Sequence, residues 1–488
     1  MAEYLAPGVF IEDNPNAPVI EAVSSSTAGF IGVTPRGVVN KTVFLTSWNS
    51  YLTNFAYGVD SAFMPNSDLS YAVYGFFMNG GKRCYVTRVS GSTAKKAMAN
   101  FPETEESEED TEVVINTPII EAKDEGLWGN QLKVSATINE DNSSWFDLSI
   151  KLKDEVVEVI RELSNDSTDV SHYWVNVVSE QSNFITPLSG NMPFILDTPF
   201  SGGVDGVEDV TDNEYISALS LFDNIDDVNL LSVPGQTSEV MYNAIMSYCE
   251  NRGDVFALLD APETSTVDSI KELRKKLSCK NAALLFPWIK VNDPLNSGKL
   301  RSCPPSGHCI GVYARVITER GVWKAPAGTE ANLRGAIEVT TTLSTGEIEV
   351  LNPANVICIV PKTNCGIVIW GARNLHPDSS MKYVSDVLLD INIKKSVFNA
   401  TQSFVFEPND AVTWTKIKAT VEAFLDNLWR EGALFGDSAS QAYYVKCDAD
   451  LNTEAMRNSG KLICEVGYAN KKPAEFVIFR FSHQVASS

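Results

Sequence analysis

Histidine is scarce in this sequence, and long apolar runs are absent. Only four histidines occur among 488 residues, which leaves few candidates for an imidazole base or metal ligand. The most apolar internal runs, at 356–361 and 365–372, are far too short to cross a bilayer. No segment resembles a signal peptide, so we expect a chain that stays in the cytoplasm unless another machine exports it, with no direct membrane insertion.

Basic residues are also in deficit. The chain has 39 Lys and Arg against 62 Asp and Glu, a net charge of −23. A protein this acidic repels phosphate backbones, so direct nucleic-acid binding is not expected. The length and the 44% hydrophobic content predict about three or four domains with packed cores.

The nine cysteines show no framework of paired spacings. One group could supply the thiolate and imidazole ligands that zinc prefers. It consists of Cys303, His308, Cys309, Cys358, Cys365 and His376. Because a Cys-x2-Cys pair is missing and the nearest ligands sit in a Pro-Pro-Ser-Gly turn, inert thiols are the favoured interpretation. We therefore predict no metal and no other cofactor.

Two features suggest catalysis, but neither matches the motif that catalysis would require. Gly81-Lys82 resembles part of a phosphate-binding loop, but Arg83 stands where Ser or Thr is required. The four histidines lie outside any nucleophile-elbow or protease-signature context. They are His172, His308, His376 and His483. The sequence therefore predicts a protein that is not an enzyme.

The two ends of the chain contain strand-like segments. Prolines at 7, 15 and 18 exclude a long helix in residues 1–20, where Val9-Phe10-Ile11 is a strand candidate without a nearby hairpin partner. The final run, 476–481, is apolar on both faces and needs cover on each side. Each segment could be an ordinary strand of its own domain or a strand donated to another subunit.

Between the ends, the hydrophobic pattern changes twice. A compact unit up to about residue 90 is followed by an acidic linker and by alternating β-type runs up to about residue 200. From about residue 205, buried strand runs alternate with helices, which predicts parallel pairing with right-handed crossovers. The sequence therefore predicts an α/β domain preceded by an inserted β-sandwich.

One long helix is predicted at Ala411–Arg430. Asn409 or Asp410 can cap its start, and Gly432 lies just past its end. Its apolar stripe consists of Trp414, Ile417, Val421, Phe424, Leu425 and Leu428. Its opposite face consists of Lys416, Thr420, Ala423, Asn427 and Arg430. That face has two cations and no acid on its centre line, a pattern that fits both a solvated face and a docking face.

Short blocks along the chain resemble those of phage tail sheath proteins. Their order and their coverage of nearly the whole chain carry the resemblance, which is weakest at 90–200. The blocks are 4–12, 27–32, 36–37, 76–86, 202–206, 287–288, 304–308, 311–315, 320–326, 370–373, 406–410 and 428–434.

The resemblance implies a structural subunit of a contractile tail sheath. Such subunits polymerise as stacked hexameric rings around an inner tube and contract to drive the tube through a target cell envelope. Neighbouring subunits exchange terminal strands. The residues implied are Leu5, Val9, Phe10 and Ile11 in the N-terminal arm, Phe476, Val477, Ile478, Phe479 and Phe481 in the C-terminal strand, and Lys416, Thr420, Asn427 and Arg430 on a tube-facing helix.

The implied fold is multidomain, α/β and α+β. Its parts are a donor arm at 1–20, an assembly-domain part at 21–92, an outer β-sandwich insertion at 93–203, a subtilisin-like α/β domain at 204–365, a tube-facing assembly part at 366–472 and a donor strand at 473–488. The implied partners are further copies of the chain, the inner tail tube protein, and baseplate and tail terminator proteins.

The resemblance places the protein in a virion tail or phage-tail-like particle assembled in the bacterial host cytoplasm. It leaves open whether that particle is an infectious phage, a bacteriocin or an injection system. The alternatives are an inactive-looking subtilisin-fold hydrolase and a passive capsid or scaffold protein that does not contract.

Overall fold

The structure is a computed structural model that describes residues 20, 22–58, 61–105, 113–188, 190–376, 380–476 and 478, with the backbone alone at 100–105 and 113–118. Within this part the chain forms two compact units. Among the described residues, the main unit comprises those in Ser25–Glu319 and Pro326–Val384, and the C-terminal unit comprises Arg320–Ala325, those in 20–24 and those from Ser385 onward. Among the described helices, none combines the length and the apolar content that a membrane span requires.

The strands and helices are numbered here in chain order. The strands are β1 Ala28–Gly32, β2 Thr42–Leu45, β3 Cys84–Arg88, β4 Met98–Glu105, β5 Val113–Ala122, β6 Leu132–Ile138, β7 Phe146–Leu152, β8 Glu155–Leu163, β9 Ile185–Pro187, β10 Ile195–Ser201, β11 Leu230–Ser232, β12 Phe256–Asp260, β13 Ala282–Phe286, β14 Ile289–Asn292, β15 Leu300–Cys303, β16 Ala336–Val339, β17 Val356–Lys362, β18 Gly366–Trp370, β19 Tyr443–Lys446 and β20 Glu465–Tyr468. The α-helices are α1 Trp48–Phe55, α2 Leu69–Met78, α3 Trp174–Gln181, α4 Asp212–Leu219, α5 Glu239–Arg252, α6 Val267–Lys276, α7 Ser306–Arg320, α8 Thr345–Leu351, α9 Val384–Thr401, α10 Ala411–Arg430, α11 Ala439–Ala442 and α12 Glu454–Asn458.

The main unit is built on an eight-stranded sheet in the order β18-β17-β13-β12-β11-β1-β3-β2. The six strands from β17 to β3 are parallel, and β18 and β2 add antiparallel edges. Strands β12 and β13 are buried along their whole length, as expected for parallel strands covered on both faces. The predicted α/β architecture is therefore present, and a small sheet of β15, β14 and β16 accompanies it.

Two predicted domain boundaries are corrected by this sheet. Residues 21–92 were expected to join the C-terminal segment, but β1 pairs in register with β11 (Ala28 opposite Leu230) and belongs to the main unit. Likewise β18, expected beyond the 365/366 boundary, pairs with β17, so the main unit extends to Val384. Strand periodicity predicts that a strand exists, whereas its partner is chosen by burial and backbone pairing across the fold.

The insertion between β3 and α4 is built of antiparallel strands in two halves, β9-β5-β4 and β6-β7-β8, that meet at β10. Its seven strands form one sheet in the order β8-β7-β6-β10-β4-β5-β9. Strand β10 connects the two halves, because Ile195–Pro199 pairs with β6 while Phe200 and Ser201 pair with β4. The two halves share one apolar core, which includes the wholly buried Trp128 and Trp174.

The insertion is attached to the parallel sheet by two buried arginines. The Arg36 guanidinium lies 4.8 Å from the Trp128 ring and 4.0 Å from the Asp124 carboxylate. Arg88 donates to the carbonyls of Gly37 and Glu125 at 2.6 and 2.9 Å. Charged donors with fixed partners on both sides define the geometry of this junction.

Candidate functional site

Helix α10 is the largest regular element of the C-terminal unit, and its bounds agree with the prediction. The Asp410 side chain accepts hydrogen bonds from the amides of Val412 and Thr413, both at 3.0 Å. Gly432 adopts a φ of +87° just beyond the helix, a conformation that favours glycine at a helix C-terminus. These end signals explain why the sequence alone located the helix.

The predicted tube-facing residues of α10 do not share one face. Lys416, Asn427 and Arg430 are exposed, whereas Thr420 is buried, and this is a correction. Position 420 follows Ile417 by three residues and precedes Phe424 by four, so it falls on the buried side of the helix.

The charges on the outer side of α10 also differ from the prediction. Arg430 pairs with Asp426 at 2.6 Å, and Lys418 lies 3.8 Å from Glu422. Lys416 makes no ion pair with any residue that the structure describes. Lys416 is therefore the cation on this helix that remains available to an acidic partner.

Strands β19 and β20 form a two-stranded antiparallel sheet beside α10. Tyr443 lies opposite Tyr468, and Lys446 lies opposite Glu465. Within the described chain, neither outer edge of this sheet is paired with a third strand. An isolated pair of strands is marginally stable and offers unpaired backbone groups to another chain.

A groove lies between α10, α11 and β19. It has a volume of about 550 Å³ and is lined by Glu422, Asp426, Tyr443 and Tyr444 among others. The Tyr443 hydroxyl donates to Asp426 at 3.4 Å; burial, and then the Asp426 charge, raises the pKa of Tyr443. The phenol therefore stays protonated and fixes the carboxylate that also holds Arg430.

The predicted terminal strands are described only in part. Leu5, Val9, Phe10 and Ile11 lie outside the described residues, as do Val477, Phe479 and Phe481. Phe476 and Ile478 are 72% and 77% exposed and are not assigned to a strand of this subunit.

A polar cluster lies at the carboxyl edge of the parallel sheet, where α/β proteins commonly bind ligands. Asp260, at the end of β12, accepts from the Ser306 amide at 2.9 Å and from the Ser306 hydroxyl at 2.6 Å. The Ser232 hydroxyl donates to Ser306 at 2.8 Å. All three side chains are buried, so their hydrogen bonds join strand ends to the start of α7.

This cluster does not contain a histidine base. His308 packs against Gly75, and its Nδ1 atom has no hydrogen-bond partner. Burial lowers the pKa of His308 to about 4, so the ring is neutral at pH 7. His172 instead contacts Asp169 at 2.9 Å in the insertion. Neither of these imidazoles meets a serine hydroxyl, which a Ser-His-Asp mechanism requires.

The proposed cysteine and histidine ligands are not assembled into a metal centre. Cys303, Cys309 and Cys358 are buried thiols. In the described ranges, three or more His, Cys, Asp or Glu side chains do not converge anywhere in a way that could hold a metal ion.

Comparisons with known proteins give the family. A model of the phage tail sheath protein central domain matches residues 208–375, and a model of the phage tail sheath C-terminal domain matches 376–484. Together the two models cover more than half of the chain. This chain belongs to the phage tail sheath protein family. The family consists of structural tail sheath proteins and not of enzymes.

Individual relatives are distant. The chain is 25% identical over 256 residues to a protein named as a prophage major tail sheath protein of Pseudomonas aeruginosa, a match that covers 51% of this chain and 64% of the relative. It is 23% identical over 320 residues to the tail sheath protein of Salmonella phage ViI, covering 62% of this chain and 48% of the relative. The matches therefore span less than two thirds of these relatives' lengths.

Solved sheath structures share the fold. The contracted sheath of an extracellular contractile injection system, PVC, superposes with a TM-score of 0.62 at 21% identity and covers 99% of both chains. A sheath tail protein from Desulfitobacterium hafniense gives a TM-score of 0.63 at 13% identity and covers 90% of this chain and 94% of that one. The mixed, multidomain α/β fold of this chain is thus that of sheath proteins.

Two features of the C-terminal unit were missed by the sequence interpretation. One is the β19–β20 sheet with its groove, whose only sequence signal is the short run Tyr443–Lys446. The other is the loop before α10, where Phe406 is completely exposed and has a φ of +69°. The block 406–410 was recognised as resembling sheath proteins, but periodicity gave Phe406 no role.

Proposed function

We propose that this chain is the structural subunit of a contractile tail sheath. It polymerises as stacked hexameric rings around an inner tube and contracts to drive that tube through a target cell envelope. The particle is a phage tail or a phage-tail-like particle assembled in a bacterial cytoplasm, with baseplate and tail terminator proteins at its ends. The observation that carries the proposal is the open β19–β20 sheet in a chain of this family.

Strand exchange would complete that sheet. The apolar segments around Val9-Phe10-Ile11 and Phe476 supply strand candidates at both termini. Main-chain hydrogen bonds to an open edge connect subunits while leaving the side chains of the strand free to vary. Such links allow domains of neighbouring subunits to move as bodies during contraction without losing the connection between them.

The N-terminal arm can be tested through its backbone donors. Replacing Phe10 by Pro removes an amide that a ladder needs, whereas Phe10→Ala keeps it. We expect the purified Pro variant to remain a folded monomer and the wild type to form hollow cylinders of fixed width in electron micrographs. The Ala variant should assemble better than the Pro variant. Equal assembly of all three would contradict strand donation by this arm.

Helix α10 is proposed to face the inner tube through Lys416. An exposed ion pair contributes about 0.2–1 kcal/mol, so six copies in a ring would contribute roughly 1–6 kcal/mol, which is weak enough for release. Lys416→Glu should reduce assembly on purified tube protein. Lys299→Glu makes the same charge change at an exposed lysine of the main unit that has no ion pair with the described residues. If both variants lose assembly on tube protein equally, the proposal that α10 faces the tube is contradicted.

A further inference from the structure

The loop before α10 presents an aromatic side chain that the described part of its own subunit leaves uncovered. Phe406 has a relative accessibility of 103% and a φ of +69°. The turn is closed by the Glu407 amide, which donates to the Phe404 carbonyl at 3.2 Å. A bulky residue rarely adopts positive φ, and such strained positions cluster at functional sites. No described residue of the same subunit covers this ring in return.

A second groove lies at the other end of the same helix. It has a volume of about 430 Å³ and is lined by Trp429, Leu434, Phe435 and Lys471 together with Arg430 and Asp437. The Trp429 indole N–H donates to the Gly436 carbonyl at 2.9 Å, and the Phe435 amide donates to the Ala469 carbonyl at 2.8 Å. Clefts of about 300–1,000 Å³ hold drug-sized ligands, so this preformed groove can hold one aromatic side chain.

The loop and the groove each contain a charged side chain of opposite sign without an ion pair among the described residues. Glu407 follows Phe406 directly, is exposed, and has no ion pair within the described part of the chain. Lys471 at the groove likewise lacks an acidic partner among the described residues. Arg430, the groove's other cation, is already held by Asp426. The groove also contains the exposed carboxylate of Asp437, so the match rests on the aromatic ring beside an aromatic groove and on the pairing of Glu407 with Lys471, and not on the net charge of the groove.

We infer that Phe406 and Glu407 of one copy dock in the groove formed by Trp429, Phe435 and Lys471 on the next copy. Helix α10 rises about 1.5 Å per residue, so its 20 residues place the loop and the groove roughly 30 Å apart. A contact between two different surfaces of the same chain is heterologous, and it generates rings or open helices instead of closed dimers. The inference rests on the proposed sheath function and adds a side-chain contact between subunits.

The test is polymerisation of the full-length chain, followed by sedimentation and electron microscopy. Phe406→Ser removes the ring, and Phe398→Ser removes another exposed phenylalanine of the same unit as the matched control. Truncating an anchor residue of an interface weakens binding by about 30-fold or more. We therefore expect the 406 variant to need at least about 30-fold more protein for assembly, while the 398 variant and the melting temperatures stay near those of the wild type.

Reversing the charges of Glu407 and Lys471 tests whether the loop of one copy contacts the groove of another. Glu407→Lys and Lys471→Glu should each impair assembly, and the double variant should recover it, because the ion pair is rebuilt with reversed polarity. In addition, a mixture of Phe406→Ser with Lys471→Glu protein should form mixed dimers at concentrations at which neither variant associates alone, since one intact loop and one intact groove remain. Those results support the inference.

Other outcomes would overturn it. If the wild type forms cylinders and Phe406→Ser forms them equally well, the inference fails while the proposed function stands. If Phe406→Ser assembles normally and loses only its binding to tube protein, the loop contacts the tube and not another copy. If even the wild type forms no cylinders, with or without tube protein, the proposed function fails first and the inference fails with it.

Discussion

The carboxyl group of Asp260 gives the main unit a stability that depends on pH. It is completely buried and accepts three hydrogen bonds, two from Ser306 and one from the Gly235 amide at 3.2 Å. Burial raises its pKa from 3.8 to about 7; the hydrogen bonds oppose this rise, and the nearby Asp68 charge adds to it. The native state therefore holds this proton more tightly than the unfolded chain does.

The direction of the effect follows from that difference. The stabilisation by the protonated group is complete below the unfolded pKa and is lost as the pH rises through the folded pKa. A rise of about three pKa units, at 1.36 kcal/mol per unit, corresponds to roughly 4 kcal/mol. As the pH rises from about 4 to 7, we expect this carboxyl group to lower the free energy of unfolding by roughly 1.4 kcal/mol for each pH unit.

The assay is urea unfolding of the wild type and of Asp260→Asn at several pH values from 4 to 8. An amide cannot titrate, so the variant should lose this part of the slope, and the stability difference between the two proteins should change by roughly 4 kcal/mol across the range. Asp209→Asn is the control: its exposed carboxylate accepts from Thr93, which lowers its pKa, so it should leave the slope near neutral pH unchanged. Parallel curves for the wild type and Asp260→Asn would refute the reasoning.

Two further substitutions test packing in the main unit. Gly307→Ala places a Cβ 2.3 Å from the Ala72 Cα atom, so α2 and α7 must separate. We expect the free energy of unfolding in urea to fall by roughly 3 kcal/mol. The control Gly346→Ala, whose added Cβ has nothing within 4 Å, should be neutral or slightly stabilising. Arg36→Ala removes the cation beside Trp128 and leaves the buried Asp124 carboxylate with the Gly37 amide and the Arg88 charge. This should cost roughly 3 kcal/mol and speed proteolysis of the insertion. An unchanged cleavage rate would show that this arginine does not hold the junction.

Local signals in the sequence predicted several elements well. The bounds of α10 follow from Asp410 at its start, Gly432 beyond its end and the apolar stripe between them. The continuous apolar runs of β12 and β13 indicated buried parallel strands. In each case the determining information lies within about 25 residues, which is the range over which periodicity and capping act.

Non-local pairing could not be predicted in the same way. Strand β1 pairs with β11 across about 200 residues of sequence, and the β-type insertion lies between them. Strand β10 pairs with β6 through one part and with β4 through another, a switch between the two halves of the insertion that alternation along a strand does not predict. The subtilisin-like topology, the donor strands and the tube-facing role of α10 stay predictions.

The segment before α10 shows where local rules and function separate. Asn409 and Asp410 obey the rules: one accepts from the Trp414 indole at 2.7 Å, and the other caps the helix. Phe406, three residues earlier than Asn409, departs from two rules. Its apolar ring is exposed instead of buried, and its backbone has a positive φ, which residues other than glycine rarely adopt. In a sequence that folds well, each residue agrees with its local backbone and burial, and residues that depart from this without stabilising the monomer are expected at functional positions. This chain belongs to a family of sheath proteins, so we expect the exposed ring of Phe406 to contribute contact energy only in the polymer. Assembly is therefore the measurement that a substitution of Phe406 should change.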